Sequence, residues 1–306
     1  MYDLIIIGSG PAGLSAAVYG KRAGFSTLVI EANPMSGGQV LNTYEVDNYL
    51  GMPGISGFEM GMQFREHADR MGAVFADGMV EKIEHADGRW KVFAGDEIYE
   101  AKAVILAAGA THRHLDVPGE AAFAGRGVSY CATCDGAFFR NKVTAVVGGG
   151  DVAVEDAIFL ARSCQKVYLI HRRDELRAAK SLQEQLFALP NVEVIYHHTV
   201  QEILGEQKVR ALCLQDRIQQ TVSELPVDGV FIAVGITPQS AAFAGVAQMD
   251  EAGYLEAGED CKTSAPGLFA AGDIRTKKLR QIVTAVADGA NAVASAEEYL
   301  RSLESL

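Results

Sequence analysis

Cys131 and Cys134 stand three residues apart, with Asp135 directly behind them, in Cys131-Ala132-Thr133-Cys134-Asp135. That spacing lets two thiols close a small disulfide ring, and a following helix would lower the pKa of one of them. Asp135 adds a carboxyl able to pass a proton to or from a thiolate. Structural zinc is the competing chemistry, but it needs four ligands, and no second C-x-x-C or paired histidine follows. His197 and His198 are adjacent, and on one strand they would face opposite sides. An inert pair of thiols is the plain alternative. His67, His85, His112 and His114 lack metal spacing and are expected at the surface, and no metal is expected. Cys164, Cys213 and Cys261 are scattered and read as ordinary thiols.

The second kind of chemistry is phosphate binding, and its signature occurs twice. Gly8-Ser9-Gly10-Pro11-Ala12-Gly13 follows the apolar run Leu4–Ile7, and Gly148-Gly149-Gly150-Asp151-Val152-Ala153 follows Val143–Val147. The first glycine permits a tight turn, the second lets backbone approach a pyrophosphate, and the small third residue lets a helix pack on the strand. Helical apolar spacing follows each copy, through Leu14, Ala17, Val18 and Ala23 and through Val154, Ala157, Ile158, Leu160 and Ala161. The helix N-terminus then offers unpaired N–H groups to phosphate. An ordinary strand–turn–helix is the bland alternative for each.

The two copies differ 23 residues after their first glycine. In copy one that residue is Glu31, suited to ribose hydroxyls and an unphosphorylated adenosine as in FAD or NAD. In copy two it is His171, followed by Arg172, Arg173 and Arg177, which would bind a 2′-phosphate that a carboxylate would repel. Copy two is therefore expected to take NADP(H), with a solvated basic helix start as the alternative for the arginines. Val104–Thr111 and Val230–Thr237 echo each other as buried-strand runs ending in a glycine turn, which points to two similar halves.

These elements must sit on an α/β frame of two Rossmann-like dinucleotide-binding domains, three-layered, with the second inserted in the first. The expected division is 1–116 with 243–306 for the first domain and 117–242 for the second, which carries the cysteine pair. Breaks at 115–120 and 235–239 mark the crossings. A helix is expected over Phe58–Met71, β segments around Val74–Ile83 and Trp90–Tyr99, a loop over 42–57 above the cofactor, and a long helix from Ile282 to about Leu303. The 306 residues suit two domains, and 49% hydrophobic with 22% charged residues reads as soluble and globular. A net charge of −12 argues against a nucleic-acid partner. No apolar run approaches the ~20 residues of a membrane span, so no membrane partner is expected. Met1 leads almost at once into the first strand without a secretory signal, and a cytoplasmic address is expected. A reducing compartment favours a catalytic over a structural role for Cys131–Cys134.

Taken together, GSGPAG at 8–13, GGQ at 37–39, CATCDG at 131–136, GGGDVAVE at 148–155, HRRDELR at 171–177, and AAGD at 270–273 with Arg280-Gln281 resemble the low-molecular-weight thioredoxin reductases from end to end. CATCDG and HRRxxxR in this order are the specific part. Val152 departs from the pattern, where a small hydroxylated residue is common. The longer disulfide reductases are a poorer match, because residues 31–60 hold no cysteine.

The resemblance implies a homodimer that carries electrons from NADPH through FAD and the Cys131–Cys134 pair to oxidised thioredoxin. It implies FAD contacts from Gly8, Gly10, Pro11, Ala12, Gly13, Glu31, Gly38, Gln39, Asn48, Val80, Gly109, Gly272, Asp273, Arg280, Gln281 and Ile282. It implies NADPH contacts from Gly148, Gly150, Asp151, Val152, Ala153, His171, Arg172, Arg173 and Arg177. Cys134 would face the flavin, Cys131 would attack the thioredoxin disulfide, and Asp135 would be the acid–base group. A flavoprotein reductase of another acceptor (a peroxidase partner, ferredoxin or quinone) and a non-enzymatic flavin redox sensor are the alternatives.

Overall fold

The computed structural model describes residues 1–43 and 45–304. Tyr44, inside the expected loop over 42–57, lies outside the described residues. The chain runs β1 (Tyr2–Ile7), α1 (Pro11–Arg22), β2 (Thr27–Glu31), α2 (Gly57–Arg70), β3 (Val74–Asp77), β4 (Val80–Ala86), β5 (Arg89–Ala94), β6 (Glu97–Leu106), β7 (Ala110–His112) and β8 (Val128–Ser129). It continues through α3 (Ala132–Asp135), β9 (Val143–Gly148), α4 (Asp151–Ala161), β10 (Lys166–Ile170), α5 (Lys180–Phe187), β11 (Val192–Ile195) and β12 (His198–Gly205). Last come β13 (Val209–Asp216), β14 (Val222–Pro226), β15 (Gly229–Ala233), β16 (Ile236–Pro238), β17 (Leu268–Ala270) and α6 (Ile282–Glu304). Two compact units result: Met1–Thr111 with Thr237–Leu306, and His112–Ile236.

The first unit is built on a sheet of order β3-β2-β1-β6-β5-β4, with β17 also paired to β6. β2, β1, β6 and β17 run parallel, while β4 and β5 are antiparallel. Leu4-Ile5-Ile6-Ile7 can be apolar throughout because both faces of β1 are covered. Leu4 and Ile6 face α1 and α6, with Ala16, Ala17 and Ala292. Ile5 and Ile7 face the other way, with Trp90, Phe243 and Leu255. Burying each such aliphatic side chain contributes about 1.5–3 kcal/mol.

Helix α2 starts one residue before its expected limit because Ser56 and Glu59 form a reciprocal capping box. The two expected β segments are four strands. Val74–Asp77 pairs with β2, and the chain restarts at Val80 to form an antiparallel meander. Asp87 (φ 54°) and Gly88 (φ 70°) turn β4 into β5, the pair of positive φ angles that an Asp-Gly hairpin supplies.

The second unit repeats the plan on a parallel sheet of order β11-β10-β9-β15-β8. Val146, Val167, Leu169 and Phe231 pack against α4. Ala145, Val147, Ile170 and Val230 pack instead against Val200, Ile203 and Leu212 of the antiparallel β12-β13-β14 sheet. The shared core order β2-β1-β6 and β10-β9-β15 is the structural form of the sequence echo. Among the described residues no helix is long and apolar enough to cross a membrane.

Candidate active site

Cys131 and Cys134 are joined by a disulfide, with their Cα atoms 5.3 Å apart. Cys131 is the extended N-cap residue of α3, and Cys134 lies inside it. The helix is a single turn, so little dipole stands behind the thiols, and the expected help from a following helix is small. Both cysteines are half-buried. Asp135 Oδ2 accepts from Ser129 Oγ at 2.6 Å, and Oδ1 is buried without a partner. Burial raises the carboxyl above its ordinary range, and the serine hydroxyl opposes that rise. Asp135 therefore holds its proton to higher pH than an exposed aspartate.

Tyr130, just ahead of Cys131, is clamped. Its hydroxyl donates to Glu120 Oε1 at 2.7 Å, and the other Glu120 oxygen receives the Leu115 and Asp116 N–H groups. His114 Nδ1 lies 2.9 Å from the phenol oxygen, and His112 stacks on the ring at 5.3 Å. His112 is thus half-buried rather than at the surface, and burial lowers its pKa.

In the glycine loop of the same unit, the Arg177 N–H donates to Gly149 O at 2.7 Å, and His171 Nδ1 meets Gly148 O at 2.9 Å. The imidazole packs so closely that a Cβ on Gly149 would fall 2.2 Å from it, so this position admits only glycine. Asp151 Oδ1 accepts from Ala179 N at 2.7 Å, tying the start of α4 to the segment after the arginines. Residues 172–175 form bends, 172–177 hold no helix, and α5 begins only at Lys180. Arg172, Arg173, Arg177 and Val152 are exposed, while Ala153 is buried under the loop. His171 is 4% exposed, and its Nε2 is buried without a partner. Burial lowers its pKa, and backbone hydrogen bonding opposes that fall.

In the first unit, Gly13 packs on the opening of its own loop: a Cβ there would fall 1.9 Å from Gly8 O. Pro11 occupies the first turn of α1, where its missing N–H is not needed. Glu31 ends β2 and holds the loop from below. Its Oε2 receives the Ser9 N–H and Oγ–H, both at 2.7 Å, and its Oε1 receives the backbone and side chain of Asn33, both at 2.8 Å. A carboxylate has about four lone-pair sites. A ribose hydroxyl reaching Glu31 must therefore displace Asn33 Nδ2 or Ser9 Oγ. Gly38 faces Gly10, and Gln39 Nε2 donates to Ala110 O. Asn48 Nδ2 donates to Gln281 Oε1 at 2.9 Å, joining two distant expected contacts. Ile282 begins α6, Gly109 takes a left-handed turn, and Val80 is buried in the core at the head of β4.

Asp273 Oδ1 and Arg280 Nε are buried without partners, and burial raises the Asp273 carboxyl. Orphaned buried polar atoms of this kind call for a polar partner. With the crowded glycine turn and the open end of α1, they fit a flavin dinucleotide. The buried His171 and the exposed arginine-rich segment fit a phosphorylated nicotinamide nucleotide.

Several residues that carry these sites have no motif. Asp288 is 3% exposed and accepts from Gly272 N–H at 2.9 Å, from Arg275 Nε at 2.9 Å and Nη2 at 2.7 Å, and from Lys277 Nζ at 2.7 Å. Burial would raise its pKa, but these donors hold it below the ordinary range. An acid among the apolar residues of α6, beside buried Ala285 and Ala292, was the available signal. Ser129, Glu120 and Tyr130 gave none, since each earns its role only from what lies beside it.

A family model for pyridine nucleotide-disulphide oxidoreductase matches residues 2–289. Curated thioredoxin reductases of Listeria innocua and Bacillus subtilis are 46% and 47% identical over 305 residues. In each case 99% of this chain is covered, with 95% and 96% of the relative. The crystal structure of thioredoxin reductase from Streptococcus pyogenes superimposes with a TM-score of 0.94 at 45% identity, covering 99% of both chains.

Proposed function

This chain belongs to the pyridine nucleotide-disulphide oxidoreductase family, and within it to the thioredoxin reductases; from that premise we propose how its own residues carry electrons from NADPH to oxidised thioredoxin. When bound, NADPH and FAD supply two-electron transfer from a nicotinamide to a disulfide. In this reading Gly8–Gly13 and the N-terminus of α1 hold the flavin nucleotide's phosphates, with Asp273, Arg280, Gln281 and Asn48 as further polar contacts. Gly148–Ala153 and His171 hold the nicotinamide nucleotide, and Arg172, Arg173 and Arg177 take its 2′-phosphate.

Cys131 and Cys134 pass the electrons on. In the dithiol form the Cys131 thiolate attacks one sulfur of the thioredoxin disulfide; that S–S bond breaks as a mixed disulfide forms. Cys134 Sγ then attacks Cys131 Sγ, which restores the ring disulfide and releases thioredoxin as a dithiol. Two electrons and two protons move to thioredoxin, and Asp135 handles the proton exchanged at the thiols.

The observation that carries this reading is the closed Cys131–Cys134 disulfide with a buried carboxyl beside it. The test is NADPH-dependent reduction of thioredoxin by the FAD-loaded protein. Cys131→Ser and Cys134→Ser should each lose it, and full turnover in both would remove the dithiol role. We also propose a cytoplasmic homodimer, as the resemblance implies. Sedimentation of the FAD-loaded protein should give twice the 32.7 kDa chain mass.

A further inference from the structure

We propose that Ser129 is a positioning residue for the dithiol reaction: its hydroxyl bridges the Asp135 carboxyl and the Cys131 backbone, and so controls proton exchange at the cysteine pair. The inference rests on the reading of Asp135 as the acid–base group. Ser129 closes β8, a strand of only two residues paired to β15, and is 5% exposed. Its single proton has two acceptors in range, Asp135 Oδ2 at 2.6 Å and Cys131 O at 3.4 Å. The shorter contact, to a group that can carry charge, is the stronger and takes the proton. The oxygen is then free to accept the Cys131 N–H at 3.1 Å. One hydroxyl thus ties the carboxyl to the backbone of the residue whose sulfur attacks.

Among the described residues no second donor reaches that carboxyl, and its Oδ1 is buried and unpartnered. No charged group from α4 or from the Gly136–Phe139 turn, the elements packed most closely on α3, contributes to its proton affinity; burial raises it and the Ser129 hydroxyl lowers it. A donor to the ionised form favours that form. Without the hydroxyl, burial acts alone and the proton is held to higher pH.

The experiment is the pH profile of NADPH-dependent thioredoxin reduction by the FAD-loaded enzyme, across about pH 4 to 9 where carboxyls and thiols titrate. Ser129→Ala should move the limb that belongs to Asp135 upward by about one pH unit, a tenfold change in proton affinity. Ser129→Thr, which keeps a hydroxyl, should leave the limb where it is. The Ser129→Ala/Asp135→Asn double variant should match Asp135→Asn alone. The infrared carbonyl band of protonated Asp135, assigned by its loss in Asp135→Asn, gives a readout independent of turnover and should shift with the limb. Where Ser129→Ala does not fold, Ser129→Cys, a weaker donor, must move limb and band in the same direction. A limb and band unmoved by either substitution, while Asp135→Asn abolishes both, overturns the role of Ser129 and leaves Asp135 standing. A limb that survives Asp135→Asn overturns the acid–base reading itself.

Discussion

Arg172, Arg173 and Arg177 are exposed beside the Gly148–Gly150 loop, whose backbone Arg177 helps to hold, since its N–H donates to Gly149 O. Their guanidinium groups are thus available for a dianion. Charge-assisted hydrogen bonds are worth about 1.5–3 kcal/mol each. Arg172→Ala with Arg177→Ala should therefore lose ~3–6 kcal/mol, or roughly 10²–10⁴ in preference for NADPH over NADH. Steady-state kinetics with both donors checks this, and wild-type kinetics that do not distinguish the donors would count against it. Glu31 illustrates the opposite case. Its type and position point to ribose, yet its oxygens are engaged by Ser9 and Asn33. A motif names a residue, while the neighbours decide how much of its bonding capacity is left.

At the scale of elements, α6 is held to the Gly272–Asp273 turn by a buried carboxylate rather than by apolar packing alone. Asp288 neutralises one of two cations, Arg275 (4% side-chain exposure) and Lys277 (7%), and also satisfies the Gly272 N–H. Removing one partner of such a network leaves buried charge uncompensated, which costs about 3–5 kcal/mol. Asp288→Asn should lower the denaturant midpoint accordingly and weaken FAD retention, because Asp273 rides on the same turn. The pH dependence has a definite sign. The folded pKa of Asp288 lies below its unfolded value, so the unfolded state binds more protons at low pH. The stabilisation is present above the ordinary aspartate range and is lost as pH falls through the folded pKa. Asp288→Asn should therefore flatten that acid limb of the stability curve, as urea titrations at stepped pH would reveal.

At the scale of the whole molecule, each unit owns its core: Leu4, Ile6 and Ile105 with α1 and α6 in one, Val146, Leu169 and Phe231 with α4 in the other. Two cores invite two unfolding transitions rather than one. A ligand that binds only one folded unit stabilises that unit, by about 2.7 kcal/mol at a hundredfold excess over its Kd. FAD should raise only the transition of Met1–Thr111 with Thr237–Leu306, and NADP only that of His112–Ile236. Calorimetry with each nucleotide decides it, and a single transition that either nucleotide moves would contradict independent cores. Asp288→Asn should shift the FAD-linked transition alone.

What the sequence determined by itself was everything written in contiguous residues. The strand–glycine–helix pattern at Gly8 and at Gly148 and the Cys131–Cys134 spacing are dictated by backbone geometry over a turn or two, so they are legible without a fold, as is the long helix from Ile282. The internal echo foretold the matching strand orders β2-β1-β6 and β10-β9-β15. The two expected β segments break at Gly78-Met79 and at Gly95-Asp96, where Gly95 takes φ 59°; a single glycine inside a strand-like run does not by itself announce a break. Tertiary structure alone decided which polar groups meet: Glu31 with Ser9, Asn48 with Gln281, Gly272 and Arg275 with Asp288, Tyr130 with Glu120, and Ser129 with Asp135. A hydrogen bond depends on separation in space and on what water is excluded, and neither quantity has a period along the chain.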